Sequence, residues 1–230
     1  MTMPSTAARH ALEDAEPASD CPLCPRLVDY RRANRRAHAD WFNAAVPSFG
    51  EGDAQLLIVG LAPGVSGANR TGRPFTGDYA GDLLYATLLK TGFAQGVYEA
   101  RPDDGLKLTG VMITNAVRCV PPANKPTPAE IKTCRRFLSA QIEAMPRLRA
   151  LLALGRIAHD STLAALGVKQ REAPFAHGAR HAVTGGLTLF DSYHCSRYNT
   201  NTGRLTAAMF EEVFEAVRDY VDAQRPPNRR

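Results

Sequence analysis

Five cysteines punctuate the chain, and four of them suggest a common purpose. Cys21 and Cys24 form a Cys-x-x-Cys pair, while Cys119 and Cys134 lie far downstream, one at the end of an apolar run and one in the first turns of an expected helix. Four thiolates are the number that a tetrahedral zinc ion or a 4Fe-4S cluster requires. Spacing alone does not separate zinc from iron-sulfur, and it leaves open that Cys119 and Cys134 are small buried core residues. Cys195 has no partner spacing and reads as a free thiol.

A second group of residues has the chemistry to handle a planar, hydrogen-bonding ligand. Phe75 sits in a Gly-rich segment and offers an aromatic face. Asn115 interrupts the apolar run VMITNAV, where an unpaired amide would cost about 1–3 kcal/mol, and its side chain carries both a donor and an acceptor. His194 ends another apolar run. Asp78 follows Gly77 just before a helical pattern, a position equally suited to a helix cap.

Repeated strand-loop-helix units position these groups. Apolar runs at Gln55 to Leu61, Val111 to Val117, Ala150 to Leu154 and Leu187 to Tyr193 are bounded by turn or polar clusters and mostly followed by helical patterns. The helices are expected from about Gly81 to Thr91, from Thr127, from Arg156 to Leu166 and from Thr206 to Ala223. Thr127, Pro128 and Glu130 spell a capping box with proline at the first helical position. The order implies an α/β fold, a three-layer α/β/α sandwich around a mostly parallel four-stranded sheet, with ligands bound at the carboxyl ends of the strands. Residues 21–224 read as a single domain, with a flexible leader over residues 1–20 and a flexible tail over residues 225–230.

With 28 Lys plus Arg against 23 Asp plus Glu, the net charge is +5, which favours an anionic partner. No apolar run approaches the roughly 18–20 residues that span a bilayer, and the start lacks the apolar core of a signal peptide, so a soluble, cytoplasmic protein is expected. Arg31, Arg32, Arg35 and Arg36 are spaced to form a basic helix face, for solvent or for nucleic acid.

The segments GLAPGVSGANRTGRPFTGDYAG (Gly60 to Gly81), ITNAVRCVPP (Ile113 to Pro122) and YHCSRYNTNTGRLT (Tyr193 to Thr206), with the four cysteines, resemble the iron-sulfur uracil-DNA glycosylases, and among these the family 5 enzymes. The likeness runs over nearly all of the expected folded part. It implies a DNA-repair hydrolase that flips uracil, and other deaminated bases such as hypoxanthine, out of DNA and cuts the N-glycosidic bond. It further implies a structural 4Fe-4S cluster on Cys21, Cys24, Cys119 and Cys134, a monomer, and a cytoplasmic protein that meets the nucleoid when it acts.

By the same resemblance Phe75 stacks on the base and Asp78 is the catalytic Asp, suited to stabilise a cationic sugar and orient water. From their own chemistry at strand ends, His194 is placed to donate to a base carbonyl and Asn115 to read the base edge. Gly60 and Ala62 belong to the substrate loop, and Ala62 stands where other families carry a polar residue. Arg197, Tyr198 and Asn199 fall in a loop that the family uses to enter the minor groove. Two rivals remain from the residues alone. GLAPGVSG superficially resembles a dinucleotide-binding fingerprint, but its glycine spacing is GxxxGxxG. A nonenzymatic zinc module binding nucleic acid would use the cysteines and have no need of Phe75, Asn115 and His194 together.

Overall fold

The computed structural model describes residues 6–224; residues 1–5 and the expected tail at 225–230 lie outside the described residues. In chain order the elements are α1 (Thr6–Asp14), α2 (Pro25–Ala37), β1 (Phe49–Gly50), β2 (Leu56–Gly60), α3 (Ala68–Thr71), α4 (Tyr79–Lys90), β3 (Ala94–Gln95), β4 (Lys107–Leu108), β5 (Val111–Asn115), α5 (Pro128–Ala144), β6 (Ala150–Leu154), α6 (Arg156–Ala165), β7 (Arg180–Ala182), β8 (Thr188–Ser192), α7 (Arg197–Asn201) and α8 (Ala207–Ala223).

The main sheet has the order β1-β5-β2-β6-β8-β7. Its four central strands are parallel, as the apolar runs predict, and every residue in them is buried. The sheet has six strands rather than the four expected. β1 and β7 pair antiparallel on the two edges, and they are two and three residues long. Neither has an apolar run, because a short edge strand with one neighbour needs little burial.

Alternation along the central strands divides the core into two layers. Leu56 and Ile58 face one cluster with Leu84, Leu88, Phe210 and Phe214 of α4 and α8, whereas Leu57 and Val59 face another with Leu138 of α5 and Leu163 of α6. A fully buried side chain of this kind stabilises by roughly 1.5–3 kcal/mol. α5 starts where the sequence says it must: the Glu130 amide donates to Thr127 Oγ1 at 3.3 Å, and the Thr127 amide donates to Glu130 Oε2 at 2.7 Å. Arg26 of α2 donates to the same carboxylate at 2.8 and 2.7 Å, so the cap also joins two helices.

Part of the segment read as a loose leader is built into the molecule. Leu12 packs against the α5–α6 layer, Ala15 is buried, and Arg118 Nη1 donates to Glu16 Oε2 at 2.7 Å. Its alanines, which give little apolar periodicity, are strong helix formers, and that is why a helix forms where composition suggested none.

Candidate active site

Parallel strands bring their carboxyl ends to one edge of the sheet, and the functional candidates gather there. A pocket of about 370 Å³ is lined by Ala62, Gly64, Phe75, Asp78, Asn115, His194 and Arg197, among others. β2 contributes Gly60 and the loop beyond it, β5 contributes Asn115, and the chain beyond β8 contributes His194. Asp78 opens α4.

Gly60, expected in the substrate loop, lies behind the pocket lining, beneath the Asn115 and Phe75 side chains. It is paired with Asn115 in the parallel register of β2 and β5, and a β-carbon on it would collide with Asn115 Oδ1 and lie 2.6 Å from Phe75 Cζ. Glycine is therefore required by close approach. Asn115 is only 3% exposed, and its side-chain amide has no hydrogen-bond partner among the described residues. A strand-end amide satisfied by neighbouring backbone is thus not what is found.

Phe75 packs over Gly60 at 7% exposure and has φ of +54°, the left-handed region that a bulky residue rarely occupies. Its ring stacks on His194 with centroids 6.0 Å apart and planes inclined by 30°. Burial pushes the His194 imidazole down to about 4, so it is neutral at pH 7 and has one N–H to donate.

Asp78 serves two ends at once. Its Oδ1 accepts from the Gly81 amide at 3.1 Å and caps α4. A β-carbon on Gly64 would lie 3.1 Å from Oδ2, so the second oxygen faces the glycine loop that borders the pocket. Burial raises the Asp78 carboxyl, and the amides of Gly81 and Ala80 oppose that rise.

Three candidates follow His194. Arg197 borders the pocket with its guanidinium 5.2 Å from the Tyr79 ring centroid. Tyr198 is 72% exposed beside it. The side-chain nitrogen of Asn199 donates to the His194 carbonyl at 2.8 Å, which makes Asn199 a brace on the His194 segment. The stretch read as loop contains the five-residue helix α7, capped by Ser196. Cys195 is buried, and its thiol donates to the Ala80 carbonyl at 3.4 Å, tying the His194 segment to the start of α4.

Cys21, Cys24, Cys119 and Cys134 line one small cavity beside the pocket, and Ala62 packs against both regions. Burial pushes the Cys119 thiol up to about 11 and the Cys134 thiol up to about 12. Arg31 Nη1 donates to Cys119 Sγ and the Arg118 amide to Cys134 Sγ, each at 3.3 Å. The Nε atoms of Arg31 and Arg118 are buried without a hydrogen-bond partner. Among the described residues no group of three or more His, Cys, Asp or Glu side chains is arranged to hold a metal ion. The donor set itself, four thiols with N–H groups on two sulfurs and buried cationic guanidiniums alongside, suits an anionic, sulfur-ligated group.

The expected basic face on α2 is corrected by these contacts. Arg31 turns inward at 2% exposure and Arg35 pairs with Asp20 and donates to the Asn43 carbonyl, because residues four apart share the face that packs inward. Arg32 and Arg36 remain exposed. Tyr98 and Asp104 escape sequence reading altogether, although both brace the Phe75 loop; nothing local marks them.

A mostly parallel sheet between helical layers, with a pocket at its carboxyl edge walled by Phe, Asn and His, is the arrangement of a base-excising enzyme. The chain belongs to the uracil DNA glycosylase superfamily, whose family model matches residues 47–218. It is similar to the type-5 uracil-DNA glycosylase of Thermus thermophilus, 48% identical over 198 residues that cover 84% of this chain and 90% of that protein. The type-5 uracil-DNA glycosylase of Mycobacterium leprae is 44% identical over 204 residues, covering 85% and 89% of the two chains. A type-4 uracil-DNA glycosylase of Pyrobaculum aerophilum is 34% identical over 149 residues, covering 64% and 62%. No helix among the described residues is long and apolar enough to cross a membrane.

Proposed function

We propose that this protein hydrolyses the N-glycosidic bond of uracil in DNA, leaving free uracil and an abasic site. The observation that carries the reading is one pocket in which the Phe75–Asp78 turn, Asn115 and His194 meet from three separate segments. A base can enter only after leaving the duplex, and the Phe75 face compensates for lost stacking. The Asn115 amide, which lines the pocket and has no side-chain partner among the described residues, pairs with the donor and acceptor of the uracil edge.

As the bond from C1′ to the base nitrogen breaks, its electron pair moves onto the base and the sugar gains oxocarbenium character. The neutral His194 donates a hydrogen bond to the base carbonyl that collects this charge, and the Asp78 carboxylate lies beneath the cationic sugar and orients the water that attacks C1′. The water's proton passes to solvent or to the departing base. Each such interaction is worth about 10²- to 10³-fold in rate.

The four thiols would hold a 4Fe-4S cluster whose contribution is structural, pinning the Cys119–Cys134 polypeptide beside the pocket. With Ala62 in place of a polar residue, the pocket has one fewer group with which to reject other bases, which supports excision of hypoxanthine as well. Arg197 and Tyr198 are in position to contact DNA from the pocket rim. The protein acts as a monomer in the cytoplasm, at the nucleoid.

The test is an end-labelled oligonucleotide with one uracil, incubated with protein and treated with hot alkali. Strand breaks at uracil that weaken in Asp78→Asn and His194→Ala are expected. Breaks indifferent to both substitutions would remove the catalytic assignment, and no breaks on uracil or hypoxanthine would remove the function.

A further inference from the structure

Phe75 holds a backbone conformation that costs a bulky residue free energy, so something outside its own loop must enforce it. The excursion between β3 and β4, residues 96–106, returns to this loop at two points. Arg73 donates to both Asp104 oxygens, at 2.8 and 2.7 Å, and Asp104 also accepts from the Glu99 and Leu106 amides at 3.0 and 3.1 Å. That buried pair fastens the excursion beside the substrate loop.

The second point is Tyr98. Its hydroxyl donates to the Phe75 carbonyl at 3.3 Å and accepts from the Gly77 amide at 3.4 Å, so it spans the turn between base-stacking ring and acid. Its ring stacks on Tyr85 with centroids 4.5 Å apart, and Tyr85 in turn donates to the Pro74 carbonyl at 2.7 Å. Burial pushes the Tyr98 phenol up to about 12, which keeps the donated proton in place at any working pH. Gly81, which has no side chain, leaves room for the Phe75 carbonyl and the Tyr98 hydroxyl.

We propose that Tyr98 is a positioning residue for base recognition, clamping Phe75 through its carbonyl so that the ring is preset to stack on the extruded base. The proposal rests on the function given above. Tyr98 touches neither base nor sugar and acts only through Phe75 and the Gly77 turn. Loss of the hydroxyl frees the strained backbone to relax and the ring to leave the stacking position.

The test is a double-mutant cycle on Tyr98→Phe and Phe75→Leu, read by excision kinetics and by binding of free uracil. Tyr98→Phe keeps both ring contacts and so the fold; its KM for uracil DNA rises and its uracil affinity falls by about tenfold, the size of one or two lost hydrogen bonds, with a smaller change in kcat. In the Phe75→Leu background the same substitution adds little, because its effect runs through that ring. Asp104→Asn, which loosens the excursion from its other anchor, moves KM in the same direction. Unchanged uracil affinity in Tyr98→Phe, or a cost that adds in full to that of Phe75→Leu, overturns the clamp while excision by the wild type stands. A wild type that excises no uracil overturns the function and the clamp with it.

Discussion

Gly60 and Asn115 lie opposite each other across β2 and β5, and the space that a side chain on Gly60 would fill is taken by the Asn115 amide and the Phe75 ring. The two groups that would read and stack a base are therefore packed over a missing side chain.

Gly60→Ala tests this directly. The added methyl must displace Asn115 Oδ1, Phe75, or both, and excision is expected to fall at least about 100-fold, as when a positioned group is misplaced by 1 Å. Overpacking of this kind also destabilises by about 1–3 kcal/mol. Uracil release assays and thermal melts on one preparation measure both.

Asp78→Asn should separate activity from stability. An Asn side chain still caps α4, since its oxygen can accept from the Gly81 amide. The folded-state pKa of Asp78 is raised, so its ionised form costs stability above the unfolded value of 3.8. The variant is therefore expected to melt a few degrees higher at pH 7, with the gain vanishing toward pH 4, while its excision rate falls by about 10²- to 10³-fold. A melting temperature unchanged at pH 7 would contradict the desolvated carboxylate.

The pH profile follows from the same groups. Asp78 must be ionised and burial raises its carboxyl, so excision should fall with decreasing pH at a point above the ordinary aspartate value of 3.8. His194 is neutral in the folded protein down to about 4, whereas in the unfolded chain it takes a proton near 6.5. Its burial therefore costs no stability above 6.5, and stability is lost as pH falls from there toward 4. In His194→Asn this part of the acid-side loss should be smaller, as denaturant melts at pH 7 and pH 5 will reveal.

Loading the four-cysteine site should release protons, because the Cys119 and Cys134 thiols are protonated until a metal displaces the proton. Reconstitution with iron and sulfide under argon is expected to turn the protein brown and to raise its melting temperature, and Cys134→Ala to lose both effects. Zinc taken up in preference, with no visible absorbance, would count against the cluster.

The sequence laid out much of this. The capping box at Thr127 marked the start of α5 to the residue, and Asn115 was conspicuous as an amide within an apolar run. Burial on both faces makes central strands readable; β1 and β7 are held by one neighbour each and have no such signature. Asp78 was read as either cap or acid; it caps α4 and also lines the pocket. Tyr98 could not have been found, since its partner lies 23 residues away and the intervening chain has no period to predict the return. Nor could the inward turn of Arg31, which depends on Cys119 arriving 88 positions later.

That last distance bears on synthesis. The arm bearing Cys21, Cys24, Glu16 and Arg31 leaves the ribosome first, yet Arg118, Cys119 and Cys134, which it grips, emerge about 100 residues afterward, roughly 5–20 s later at ordinary elongation rates. Until then two thiols of the nascent chain are exposed without their shelter, open to oxidants and to adventitious metal. Slowing elongation should lengthen that vulnerable interval, and an early supply of reductant should matter more for the yield of this protein than for one whose thiols emerge together.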